Sequence, residues 1–350
     1  MTSSAALAAS VREPNAAREQ DVRRHLDDLT KPSGSLGRVE DLACRLARIL
    51  GDPPPPLVPR SVIVLAGDHG VTVRGVSAYP PAVTGQMCRN IAEGGAAVSV
   101  LARVAGAEVV VADLGVREPV GHTGVLDRNV RRGTADLSVG PALRAAEVER
   151  AILEGARIVT EEAPLARLIA VGEMGIGNST AAAGVTAALL GVSVARVVGP
   201  GTGIDSRGMD RKRRVLETAL ARVPEDSDAL LVLAEVGGAE LAGMVGVVLA
   251  AAARGVPVVL DGFISTAAGL AAARLAPSVT GYLFASHRST EPGHALQLEA
   301  LALEPILDLG LRLGEGSGAA LALGVLDGAA ALLREMATFS GAGVSRNDRP

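Results

Sequence analysis

Aromatic residues are nearly missing from this 350-residue chain, with Phe 3, Tyr 2 and Trp 0. Its core must therefore be built from Ala, Val, Leu and Ile. The same scarcity argues against recognition by aromatic stacking, the device of most single-strand nucleic-acid platforms. Lysine is almost as rare: only Lys31 and Lys212 stand among 34 basic residues, against 38 acidic ones, for a formal charge of −4. That balance offers no electrostatic footprint for a polyanion, and no nucleic-acid partner is expected. Two cysteines, Cys44 and Cys88, cannot make a disulfide framework in so long a chain, which points to a reducing compartment. The opening stretch MTSSAALAASVREPNAARE has no basic segment and no long apolar run, so it does not read as a signal peptide and a cytoplasmic protein is expected.

Mean hydropathy is +0.33, and Met174 to Ala195 forms a charge-free window long enough to span a bilayer. It contains four glycines together with Asn178, Ser179 and Thr180, which suits a polar loop followed by a buried helix, and no membrane association is expected. A chain of this length can bury about 75% of the surface it exposes when unfolded. One large domain with an appendage fits better than a string of small modules.

Six short runs rich in β-branched residues follow one another: SVIVLA (61–66), AEVVVA (107–112), RLIAV (167–171), ARVVG (195–199), VPVVL (256–260) and VTGYLF (279–284). Ala-rich stretches of helical length lie between most of them. Strands that are apolar throughout are buried on both faces, so the pattern predicts an α/β fold with a doubly wound parallel sheet of about six strands. The two ends read as helical: 17–30 and 36–50 before the linker Pro53 to Pro56, and 298–313 and 319–337 around LGEGSG. The expected division is a large α/β domain over 55–300 and a small helical subdomain made from 1–50 and 301–345.

The turn after each run is the informative part. GDHGV (67–71), DLGV (113–116), GEMGIGNST (172–180), GPGTGID (199–205), DGF (261–263) and ASHRSTEPGH (285–294) are small, polar or acidic. Open α/β sheets bind ligands beyond the carboxyl ends of their strands, so the six turns outline one extended site. Glycine turns can simply close strand-to-helix connections. GEMGIGNST offers more, because Gly175, Ile176 and Gly177 lead into Asn178, Ser179 and Thr180 at a helix amino end, a ready anion site. GPGTGID repeats the arrangement, with Lys212 a short way downstream. The expected ligand group is a phosphate held between the two turns.

Neither G-x-G-x-x-G nor G-x-x-x-x-G-K-[ST] occurs, which disfavours an NAD-dependent oxidoreductase and P-loop ATP binding. No adjacent acidic pair closes a strand to hold Mg²⁺ beside a pyrophosphate, so a phosphate monoester is expected, with no metal and no cofactor. His69, His287 and His294 are too scattered to specify a metal site, and no G-x-S-x-G elbow supports a nucleophilic hydrolase. Glu173 and Glu315 lie within GEMG and LGEGSG, where no helix face accounts for a charge. Each could cap backbone amides. Glu315, following Leu313 and Gly314, is also placed to serve as a general base in an apolar pocket, and Ser317 as a turn or phosphate contact.

Eight blocks in order, KPSGSLGRVEDLA (31–43), AGDHGVTVRGVSAYP (66–80), VTGQM (83–87), GEMGIGNSTAAA (172–183), GPGTGID (199–205), VLDGFISTAAG (259–269), FASHRSTEPGH (284–294) and LRLGEGSGAALAL (311–323), resemble the nicotinate-nucleotide:dimethylbenzimidazole phosphoribosyltransferase family. The resemblance runs from about residue 20 to about 343. It implies a Rossmann-like large domain, a homodimer, and transfer of phosphoribose from nicotinate mononucleotide to 5,6-dimethylbenzimidazole, with α-ribazole 5′-phosphate and nicotinate as products.

The resemblance also assigns roles. Glu315 would be the general base and Glu173 would support it near the ribose. Gly175, Ile176, Gly177, Asn178, Ser179 and Thr180 would surround the donor's phosphate and nicotinate, with Gly201, Thr202, Gly203, Lys212 and Ser289. Gly316, Ser317 and Gly318 would complete that set. The aromatic acceptor would lie among Ser77, Ala78, Tyr79 and Pro80, with Gln86, Met174 and Leu313. Some members carry serine where this chain has Ala78, which keeps other acceptors open: another benzimidazole, adenine or a phenol. A non-catalytic nucleotide-binding protein on the same fold is the remaining alternative, although a mere binder needs no base facing an acceptor pocket.

Overall fold

The computed structural model describes residues 3–345. Its strands are β1 (Arg60–Gly67), β2 (Glu108–Gly115), β3 (Val125–Asp127), β4 (Leu168–Met174), β5 (Val258–Leu260) and β6 (Leu283–Ala285). They form one sheet in the order β3-β2-β1-β4-β5-β6, every neighbouring pair parallel. The order reverses between β1 and β4, the switch point where an open α/β sheet leaves a crevice.

Side chains alternate between the two faces, as the pleat requires. Ile63, Leu65, Ile169, Val171, Val258 and Leu260 enter one apolar core with helices Ala145–Glu161, Asn178–Leu190, Ala239–Ala253 and Phe263–Leu275. Val62, Val64, Leu168, Ala170, Val259 and Phe284 enter the other, covered by helices Arg18–Asp28, Arg38–Leu50, Val83–Ala92, Ala97–Val104 and Ser317–Glu335. With so few aromatics the helices must approach closely. A Cβ at Gly246 would lie 1.9 Å from the Ile152 carbonyl oxygen, so the helix bearing it packs backbone to backbone against Ala145–Glu161. Helix Ser317–Glu335 is long and apolar enough to cross a membrane by length and composition, but Ala319, Leu323, Leu326, Ala330 and Leu333 lie in the second core.

The α/β expectation holds, with a different sixth strand. ARVVG (195–199) is not a strand: Val194–Val197 is a short helix whose Val194 and Val197, three apart, are buried while Ala195 and Arg196 are exposed. The place in the sheet goes to β3, at the edge, with Val125 and Leu126 half-buried and Asp127 exposed. Within VTGYLF, Pro277–Tyr282 is a 3₁₀ helix and only the end joins β6. The expected helix over 298–313 is also absent. The helix Pro292–Ala300 is followed by Ala302 in a left-handed conformation at φ 50°. The chain then runs beside β6, with Ile306 N donating to Ala285 O (2.9 Å) and Leu307 N to Ser286 O (2.9 Å). The window from Met174 is, as expected, a polar turn and a buried helix, Asn178–Leu190.

Candidate functional site

The carboxyl ends of β1, β4 and β5 lie side by side, and β4 and β5 each deliver an acidic group there. Glu173 is the next-to-last residue of β4, paired in register with Leu65 of β1, and its carboxylate is buried. It accepts a hydrogen bond from Asn178 Nδ2 at the start of the following helix. Burial, with the negative charges of Asp261, Glu240 and Glu315, pushes its pKa up to about 8 against the opposing effect of the Asn178 bond.

Glu315 comes to the same place from a distant part of the chain. It adopts φ 65°, between Gly314 at φ 89° and Gly316 at φ 91°, so the turn bends sharply before helix Ser317–Glu335. Close approach to the sheet requires glycine on both sides. A Cβ at Gly172 would lie 2.4 Å from the Glu315 carbonyl oxygen, and a Cβ at Gly314 would lie 2.3 Å from Glu173 Oε1. Both carboxylates thus belong to one packed unit. Burial raises the Glu315 pKa, and its Oε2 is a buried oxygen with no hydrogen-bond partner.

The two turns expected to hold a phosphate also converge. Lys212 is fully buried, and its Nζ donates to Ser179 Oγ (3.0 Å) and Gly199 O (3.1 Å). Burial lowers its pKa to about 8, with Glu291 opposing. Glu291 Oε1 accepts from Gly201 N (2.9 Å), and Ser289 Oγ accepts from Glu291 N (3.3 Å). GPGTGID therefore reaches the GEMGIGNST helix although no strand precedes it. Thr202 Oγ1 lies 3.2 Å from Ser77 Oγ and accepts from Ala78 N at 3.1 Å, tying the segment 77–80 to the same loop. Ile176 N donates to Thr84 Oγ1 (3.1 Å), joining the helix that carries Gln86. Thr180 is buried and Met174 half-buried, whereas Tyr79, Pro80 and Leu313 are exposed. Among the described residues, no hydrogen bond joins the side chains of Tyr79, Gln86 and Met174 to one another.

Gly316, Ser317 and Gly318 are committed within the protein. Gly316 N donates to Asp261 Oδ2 (3.2 Å) and Ala319 N to Asp261 Oδ1 (2.9 Å). Ser317 N and Oγ both donate to Gly314 O, at 3.0 and 2.7 Å. Asp261, the first residue after β5, was visible in sequence only as part of a turn. Burial raises its pKa to about 7, against bonds from the backbone amides of 319, 316 and 318 and with a further push from the Glu315 charge.

The histidines serve the scaffold. His69 Nε2 meets Glu240 Oε1 at 2.7 Å with both side chains fully buried. Burial alone would lower the His69 pKa, but the charge and hydrogen bond of Glu240 outweigh it and the pKa is raised. His287 Nδ1 lies 2.9 Å from Ser286 Oγ, and His294 joins Thr266 Oγ1 (3.1 Å) and Ser289 N (2.9 Å). Burial lowers their pKa values to about 4 and about 3, so both are neutral near pH 7. Sequence reasoning missed Asp261, Glu240 and Glu291. Glu240 stands 171 positions from His69, and no local pattern marks the pair.

A family model described as phosphoribosyltransferase matches residues 11–344. The chain is 47% identical over 350 residues, 99% of it and 100% of the relative, to a nicotinate-nucleotide–dimethylbenzimidazole phosphoribosyltransferase of Desulforamulus reducens. It is 51% identical over 326 residues, 92% of each chain, to the protein of the same name from Chloroflexus aggregans. The crystal structure of CobT from Thermus thermophilus superposes with a TM-score of 0.92 at 49% identity, covering 95% of this chain and 100% of that one.

Proposed function

The chain belongs to the nicotinate-nucleotide–dimethylbenzimidazole phosphoribosyltransferase family, and from that premise we propose how its residues divide the reaction. The enzyme moves phosphoribose from nicotinate mononucleotide to 5,6-dimethylbenzimidazole, giving α-ribazole 5′-phosphate and nicotinate. Lys212, Ser179 and the amino end of helix Asn178–Leu190 hold the donor phosphate, where buried positive charge and the helix dipole act together. The C1′–nitrogen bond then breaks with its electron pair going to the pyridinium nitrogen, which leaves as a neutral ring nitrogen. One benzimidazole nitrogen attacks C1′ with its lone pair while Glu315 takes the proton from the other. Displacement from the opposite face turns the β donor into the α product.

One observation supports this reading above the rest: a buried Glu315 carboxylate with an unpartnered oxygen, at the carboxyl edge where the phosphate elements meet. Its raised pKa makes it a stronger base than an exposed carboxylate. Glu173, protonated near neutral pH at a pKa of about 8, assists beside the ribose rather than competing for the proton. The test is acceptor-dependent nicotinate release. Glu315→Gln is expected to lose about 10²–10⁴-fold in kcat while the donor still binds, and a wild-type rate sinks the assignment.

One contact bears on how tightly the acceptor is specified. The Ser77 hydroxyl is already engaged by Thr202, so with Ala78 beside it this segment offers the acceptor little polar anchoring. Including adenine, other benzimidazoles and phenols in the same assay ranks them. We also infer a homodimer, the state the family resemblance implies, and sedimentation at the monomer mass overturns it. A cytoplasmic location is inferred from two buried free thiols and small-molecule substrates. Within the expected ranges 1–50 and 301–345 we infer one helical unit, because helix Arg38–Leu50 packs on both Arg18–Asp28 and Ser317–Glu335, but the helix Ser4–Ser10 is not part of it and packs on Ala239–Ala253.

A further inference from the structure

We propose that Asp261 is the positioning residue for the base: its carboxylate, set at the end of β5, holds the Gly314–Gly316 turn in the shape that aims Glu315 into the site. The inference rests on Glu315 being the base and adds to that reading a residue that touches no substrate. Three consecutive left-handed residues, Gly314, Glu315 and Gly316, form an unfavourable turn. A non-glycine residue in that region is strained and persists only where its surroundings fix it.

Two contacts, from the neighbouring ends of β4 and β5, do the fixing. Gly172 lies against the Glu315 carbonyl and leaves it no room to drop toward the sheet. Asp261, one strand over, holds it down, one carboxylate oxygen on Gly316 N and the other on Ala319 N, so a single rigid group spans the end of the turn and the first turn of the helix. Asp261 is itself immobile. Its side chain is buried, its carbonyl accepts from Ser286 Oγ (2.7 Å), and a Cβ at Gly318 would lie 3.0 Å from its Oδ1. The neighbouring His287 Nδ1 stands 3.9 Å away and is neutral. The amides of the Glu315 loop are therefore the partners of both Asp261 carboxyl oxygens, and loop and carboxyl fix each other. Asp261 also occupies the amino end of this helix, which leaves the end of Asn178–Leu190 for the donor phosphate.

The experiment is a double-mutant cycle on the full-length enzyme, reading kcat and the KM for nicotinate mononucleotide. Asp261→Asn keeps the shape but turns an NH₂ toward one of the two amides. It is expected to lower kcat about 10²-fold, the cost of a misplacement of roughly 1 Å, with the donor KM within about threefold because Lys212 and Ser179 are untouched. Combined with Glu315→Gln it should be no slower than Glu315→Gln alone, since residues acting as a unit are not additive. Should Asp261→Asn not fold, Asp261→Ser, which is smaller and can accept one amide, is read the same way. Wild-type kcat in the Asp261 variant, equal changes in kcat and KM, or losses that multiply in the double variant each overturn the positioning role. The base reading fails separately, by Glu315→Gln turning over at the wild-type rate.

Discussion

The contact between Gly172 and the Glu315 turn lets the site be tested without touching an ionisable group. Adding one methyl in Gly172→Ala would place a Cβ 2.4 Å from Glu315 O, 2.5 Å from Glu315 C and 2.5 Å from Gly316 N. All three are backbone atoms, so no side chain can swing away. Ordinary contact begins at 3.4 Å, so 3.4 − 2.4 = 1.0 Å of movement is needed. The strand cannot supply it, because β4 is paired with β1 and β5 on either side, so the turn must. Moving the turn also stretches the 3.2 Å bond from Gly316 to Asp261. Overpacking of this kind costs about 1–3 kcal/mol of stability, a fall of a few degrees in melting temperature. A 1 Å displacement of the base should cost about 10²-fold in kcat, while the KM for nicotinate mononucleotide stays within about threefold because the phosphate elements lie on other turns. The assay is nicotinate release at saturating acceptor, with thermal melting of the same preparation. If stability falls and kcat does not, the Glu315 carboxylate is not held where the chemistry needs it and the reasoning is refuted.

Two further outcomes arise from the buried charges. Lys212→Met should raise the donor KM by about tenfold to 10²-fold, since a hydrogen bond to a charged group is worth about 1.5–3 kcal/mol, and an unchanged KM removes Lys212 from the phosphate site. Glu173, with a pKa of 4.5 unfolded and about 8 folded, keeps a proton in the native state that the unfolded chain releases between those values. Its contribution is therefore fully present below about pH 4.5 and lost as pH rises toward about 8. Melting curves of the ligand-free enzyme from about pH 5 to about pH 9 should decline less steeply in Glu173→Gln than in wild type, and parallel curves would contradict the protonated assignment.

Reading the fold from sequence worked where burial left a one-dimensional mark. The runs that became β1, β2 and β4 are apolar on both faces over most of their length, the pattern of central strands. ARVVG carries the same residue types, but the buried valines at 194 and 197 are three apart, a helical spacing that a five-residue run is too short to reveal. Residues 298–313 carry helix-forming Leu and Ala, yet the backbone amides of 306 and 307 bond to carbonyls beside β6, and that tertiary pairing overrides a weak local preference.

The site divides along the same line. Glu315 was legible because its neighbours do not account for it: a charge inside Gly-rich sequence, off any helix face, needs a reason. Asp261 was not, because DGF after a strand is already explained as a turn, and its partners Gly316 and Ala319 lie 55 and 58 positions downstream. Nor could Glu240 be found, since a glutamate in the first turn of a helix is accounted for by the helix dipole alone. Only the fold shows that it faces His69 and adds its charge to the field on Glu173. The residues proposed to meet substrate thus stood out by conflict with their local sequence. Those that hold them in place agree with theirs, and their role is carried entirely by what the sheet brings beside them.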